Sequence, residues 1–165
     1  MTVQASASGS GSAELLGGLR ALGEQLPFNR HLGVEVADLE VGRCVTRLPQ
    51  DDRLANHVGT VHAIAELAPV ELAGAMAASS RLAVLLERGL VPVVGRLEVR
   101  YAAPARGDLL ATAEVGAHVV DTALADLEHG RRPRVAVEVQ VTDAAGTVVA
   151  VAQLRFVFVD TSSPG

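Results

Sequence analysis

The stretch from Asn56 to Gly74 constrains this chain more than any other. It begins as a polar loop containing Gly59 and turns into a nearly unbroken apolar run of helical composition. A helix that is apolar nearly all round must be enclosed on several sides. On either side of it, most of the sequence reads as short strands. The expectation is an α+β domain, with a curved antiparallel sheet wrapped around one long central helix.

The flanking segments support that order. Ser12 can cap a short helix through about Gln25, with Leu15, Leu16, Leu19 and Leu22 at helical spacing and Pro27 ending it. Leu32 to Ala37 and Val41 to Leu48 read as a hairpin turning near Asp38 to Glu40. The central helix is expected from Thr60, as N-cap, to about Ala78, with Ser79 to Gly89 ambiguous. Strands are expected over Val93 to Ala102, Asp108 to Val120, Arg134 to Thr142 and Thr147 to Asp160. Leu124 to Arg132 reads as a polar excursion between them. The Ser/Ala/Gly-rich residues 1–11 and the closing residues 161–165 read as flexible tails around a single domain over 12–160.

A chain of 165 residues fits one domain with a real core. Its net charge of -5 argues against a nucleic-acid surface. All 14 basic residues are arginine, a coding bias without functional weight. The single cysteine, Cys44, lies in a strand-like run and reads as a small core residue. The opening residues lack a secretory signal, and no apolar run reaches the ~20 residues that span a bilayer. A cytoplasmic protein without membrane partners is expected.

Four side chains of the central stretch, Glu71, Glu66, His62 and Asn56, are the candidates for chemistry. On a wheel of ~100° per residue, Glu71 falls on the stripe of Leu67, Gly74 and Ala78, where an unpaired carboxyl stays protonated or destabilises the fold. It is the expected general base or nucleophile. Glu66, one turn from His62, reads instead as a structural partner across the helix surface. His62 would hold the helix opening, Asn56 would orient water or a carbonyl, and Gly59 would supply a positive φ. His57 and His62 do not share a helical face, so no metal site is expected.

Two motifs carry a resemblance. Asn56-x-x-Gly59-x-x-His62 with a later Glu71 resembles the signature of phenylacetyl-CoA-type acyl-CoA thioesterases of the hotdog fold. Arg96 to Tyr101 followed by Pro104-Ala105-Arg106-Gly107-Asp108 is similar to the strand after the helix in many such enzymes, with the Pro-to-Gly spacing one residue shorter. The resemblance covers roughly Leu32 to Val159. Where those enzymes carry Gly-Gly after the histidine, this chain has Ala63-Ile64. That variation is closest to a hotdog subfamily known only as a domain of unknown function.

The resemblance implies a thioesterase acting on an acyl-CoA or acyl-carrier-protein thioester, with coenzyme A as part of the substrate and no cofactor. It implies a homodimer or dimer of dimers, paired through Val93 to Ala102, with its sites at the interface. Backbone N–H groups of Ala63 and Ile64 would polarise the carbonyl, and Glu71, Asn56 and His62 would be catalytic. Arg96, Arg100 and Arg106 are candidates for the coenzyme A phosphates. The alternative is a module of the same fold that binds acyl thioesters without turnover.

Overall fold

The computed structural model describes residues 7–161. In chain order the elements are α1 (Ala7–Gln25), α2 (Pro27–Leu32), β1 (Glu35–Glu40), β2 (Arg43–Leu48), α3 (Leu67–Arg81), α4 (Ala83–Leu86), β3 (Leu90–Tyr101), β4 (Leu109–Glu114), α5 (Val119–Glu128), β5 (Arg134–Thr142) and β6 (Val148–Asp160). The six strands form one antiparallel sheet in the order β1-β2-β4-β5-β6-β3. Strand β3 is thus an edge although it follows the helical segment α3–α4 directly, and β1 is the other edge. This is the hotdog arrangement.

The sheet wraps α3. Alternation puts Val135, Val137, Val139 and Val141 of β5 inside, all nearly inaccessible, while Ala136, Glu138 and Gln140 stay exposed. Along α3 every residue from Ala68 to Ser80 is buried except Glu71. Gly74 is required where the helix crosses β6: a Cβ there would lie 2.9 Å from the Phe156 ring. The helix is fastened to the sheet by the Thr46 hydroxyl, which donates to Pro69 O at 2.7 Å. At its far end Arg81 donates to Val115 O and Val41 O, both at 2.9 Å.

Several boundaries differ from expectation. The first helix already begins at Ala7, ahead of Ser12. The remainder of the expected tail 1–11, and residues 162–165 of the expected tail 161–165, lie outside the described residues. Leu22, placed on the apolar stripe, is 58% exposed. Pro27 ends α1 and also opens α2, because proline suits the first helical position; Gly33, at φ 75°, closes it. The β1–β2 turn sits at Val41-Gly42, later than expected, with Gly42 at φ 81°.

The central helix begins at Leu67, not Thr60. Thr60 lies in a bend tied to Asn56, and Val61 bridges Ala55 and donates to Ala105 O at 3.0 Å. A start at Leu67 also puts Pro69 in the first turn, where its missing N–H is harmless. Beyond β4 the chain leaves the sheet at Glu114. Val119, Val120, Ala123 and Leu127 then form the inner face of α5, which replaces both the expected strand end and the polar excursion.

Candidate functional site

The loop leading into α3 is built around the side chain of Asn56. Its Oδ1 accepts from Val58 N (3.0 Å) and Thr60 N (3.1 Å), while its Nδ2 donates to Thr60 Oγ1 (2.8 Å) and Val61 O (3.3 Å). Gly59 takes φ 75° inside this knot. All the polar side-chain atoms of Asn56 are therefore engaged within its own loop.

His62 plays a similar role a few residues later. Its backbone N–H donates to Leu54 O at 2.7 Å, its carbonyl accepts from Ala65 N and Glu66 N, and its Nδ1 accepts the Ile64 N–H at 3.1 Å. An accepting Nδ1 places the proton of the neutral ring on Nε2. Of the two N–H groups expected to polarise a carbonyl, that of Ile64 is thus occupied. That of Ala63 makes no hydrogen bond among the described residues. The Ala63 carbonyl accepts the phenol of Tyr101 at 2.7 Å.

Of the two carboxyls, Glu71 keeps the unpaired, enclosed state expected of it, and Glu66 departs from its sequence reading. Glu71 is half-buried, makes no hydrogen bond or ion pair among the described residues, and is held above the usual carboxylate range by burial. Glu66 is the more enclosed of the two, at 4% exposure, with Oε2 buried and unpartnered. Burial lifts its pKa to about 7. Tyr101 is raised too, first by burial and then by the charge of Glu66. Glu66 does not pair with His62, because the exposed His62 ring turns back onto the Ile64 N–H while the Glu66 carboxyl is buried.

The arginines divide between two faces. Leu97, Val99 and Tyr101 lie on the α3 side of β3, whereas Arg96, Glu98 and Arg100 point to the outer face, Arg96 bonding Glu98 at 2.8 Å. Arg106 alone lies near the loop, lining a polar pocket of about 110 Å³ with Gly59, Thr60 and Asp51. Cys44 is fully buried and its thiol is pushed up to about 12, as befits an inert core residue. No helix among the described residues is long and apolar enough to cross a membrane.

Over residues 19–158 the chain matches a family described as a domain of unknown function, DUF4442. The chain belongs to the DUF4442 family. Solved structures show what fold this DUF4442 chain carries. A Pseudomonas aeruginosa protein of unknown function, described as a probable thioesterase, superposes with TM-score 0.71 at 24% identity, over 86% of this chain and 93% of that one. A Haemophilus influenzae thioesterase does so at 0.69 and 19%, covering 90% and 92%. The E. coli PaaI protein, from the phenylacetic acid degradation operon, gives 0.69 and 16%, covering 90% and 95%. Together they establish the hotdog fold for the DUF4442 chain. A Halobacterium salinarum protein, described as a candidate esterase, is 36% identical over 87 residues. That match takes in 51% of this chain and 56% of the relative, so the chain spans about half the length of the curated relative it matches.

Within this DUF4442 domain the fold brings Asn56, Gly59, His62, Ala63 and Ile64 together in one loop, with Glu71 on the helix that follows. It leaves Arg96 and Arg100 on the opposite face. Sequence reasoning missed Tyr101 as a contact of the loop, and underrated Glu66. The signal for Glu66 was present: a carboxylate among Ala65, Leu67 and Ala68, all apolar.

Proposed function

We propose that this protein is a hotdog-type thioesterase acting on an acyl-CoA or acyl-carrier-protein thioester at sites shared between two subunits. The observation that carries this reading is Glu71, an unpartnered, half-buried carboxyl on the helix whose opening turn presents the free Ala63 N–H. An N–H aimed at a developing oxyanion and a base held above its ordinary range are what thioester hydrolysis needs.

In this mechanism the substrate carbonyl oxygen binds the Ala63 N–H and displaces His62 Nδ1 from the Ile64 N–H. Glu71 of the partner subunit removes a proton from water, which attacks the carbonyl carbon. The tetrahedral intermediate then collapses, breaking the C–S bond, and Glu71 returns its proton to the departing sulfur, so that a carboxylic acid and a thiol are released. Asn56 and Gly59 keep the loop in shape, and Arg106 is the arginine best situated for a coenzyme A phosphate.

Pairing through β3 is favoured by its position and surface. It is a sheet edge on which Val91, Val93, Val94 and Tyr101 are all at least 36% exposed. Free backbone groups beside exposed apolar side chains form a template for a second strand, and two-fold pairing of β3 continues the sheet.

A second reading is favoured by one contact. The Ile64 N–H is already bound to His62, and the Ile64 side chain stands 64% exposed over the same turn. Those features suit a module that binds acyl thioesters without turning them over. The test is steady-state hydrolysis of an acyl-CoA panel, read by thiol release, beside calorimetric binding of the same compounds. Turnover supports the enzyme; binding without turnover of any member leaves the module.

A further inference from the structure

A second surface adjoins this loop and shares His62 and Ile64 with it. Between α2 and the loop runs an open groove of about 440 Å³, walled by Phe28, Leu32, Leu54, Ile64 and Ala65. Its geometry follows from α2. Asn29 is turned inward and donates from Nδ2 to Gly23 O at 3.3 Å, which leaves Phe28, His31 and Leu32 to line the groove. Phe28 is 62% and Ile64 64% exposed. Two large apolar side chains left in water on the walls of one groove mark a surface that binds something apolar.

We propose that this groove receives the acyl chain of the thioester, and that Phe28 is a specificity-determining residue for chains of medium length and longer. The proposal rests on the thioester reading and deepens it. Ile64 and Ala65 belong both to the groove wall and to the turn that carries the Ala63 N–H. A chain leaving a carbonyl bound at that turn enters the groove at once. Charge points to a neutral occupant: among the described residues, Arg53 is the one arginine on the rim, and it is ion-paired to Asp51, which leaves no unmatched fixed charge there for an acidic cargo. A second copy of the chain is the competing occupant.

The test compares acetyl-CoA with decanoyl-CoA on the native chain, Phe28→Ser and Phe28→Leu. Calorimetric binding of the non-hydrolysable S-methyl and S-decyl thioethers of coenzyme A runs in parallel. Native kcat/KM is expected to rise with chain length. Phe28→Ser lowers the decanoyl value about tenfold, mostly through KM, with acetyl unchanged and Phe28→Leu recovering most of the loss. The thioether arm separates this from failure of the enzyme reading. With no turnover at all, tighter binding of S-decyl than S-methyl, weakened by Phe28→Ser, still supports the groove. Equal binding of the two thioethers, or equal loss for both chain lengths, overturns it. So does a Phe28→Ser chain that changes from dimer to monomer in light scattering, which assigns the groove to an interface between copies.

Discussion

The phenol of Tyr101 donates to the carbonyl of Ala63 at 2.7 Å, tying the free edge strand β3 to the turn that opens α3. The two residues are 38 positions apart, and this bond is the polar tie between the sheet edge and the turn of the candidate site. It makes the shape of that turn depend on the strand through which subunits are proposed to pair.

Removing only the hydroxyl isolates the effect. Tyr101→Phe is expected to lower unfolding free energy by about 1 kcal/mol, the net worth of one such hydrogen bond, in urea denaturation. In the enzyme reading it lowers kcat more than it raises KM, because the turn meets the carbonyl less well. A kcat equal to the native value shows that the tie is structural only.

Asn56 makes four side-chain hydrogen bonds within its own loop. Asn56→Ala is therefore expected to destabilise the protein by about 2 kcal/mol, since its partners are neighbours and their losses do not add. Amide hydrogen exchange at Val58 and Thr60 should quicken even where the global midpoint moves little. Unchanged exchange at those amides would show that the knot is held by the backbone alone.

Glu66 links stability to pH with a definite sign. Its carboxyl titrates at about 7 in the folded chain against 4.5 for an ordinary glutamate. The folded state thus holds the proton more tightly. Its contribution is fully present below about pH 4.5 and is lost as pH rises through about 7, a change of roughly 3 kcal/mol. Glu66→Gln lacks that loss, so the variant gains on the native chain across this window in denaturation midpoints. Glu71 is raised as well, but it is present in both chains and drops out of the difference. A difference that stays flat with pH contradicts the buried, unpartnered state of Glu66.

How far the sequence disclosed this arrangement depended on whether a period applied. Val135 to Val141 alternate strictly, and all four valines lie inside, so β5 was legible to the residue. The stripe of Glu71 with Gly74 and Ala78 was equally legible, because all three lie in regular helix. The loop before it was not. Helical angles assigned from Thr60 had no meaning where the Asn56 knot and the Val61 bridge hold the backbone, and Glu66 was misjudged because the His62 ring turns to the Ile64 N–H instead. Pro69 did mark the first turn of α3, and Pro27 that of α2, yet proline reads as a terminator as readily as a starter. The Tyr101–Ala63 contact has no local signature at all, since it arises only when the edge strand closes over the helix opening.

In the proposed mechanism, thioester hydrolysis turns on Glu71 as the base. The most direct test is single-substrate kinetics on Glu71→Gln, with Glu66→Gln as the control for a buried neighbour and circular dichroism to verify the fold. Loss of general-base catalysis is expected to lower kcat about 100-fold or more, with KM little changed. A Glu71→Gln chain that keeps kcat within about twofold of the native value, while folded, contradicts that role.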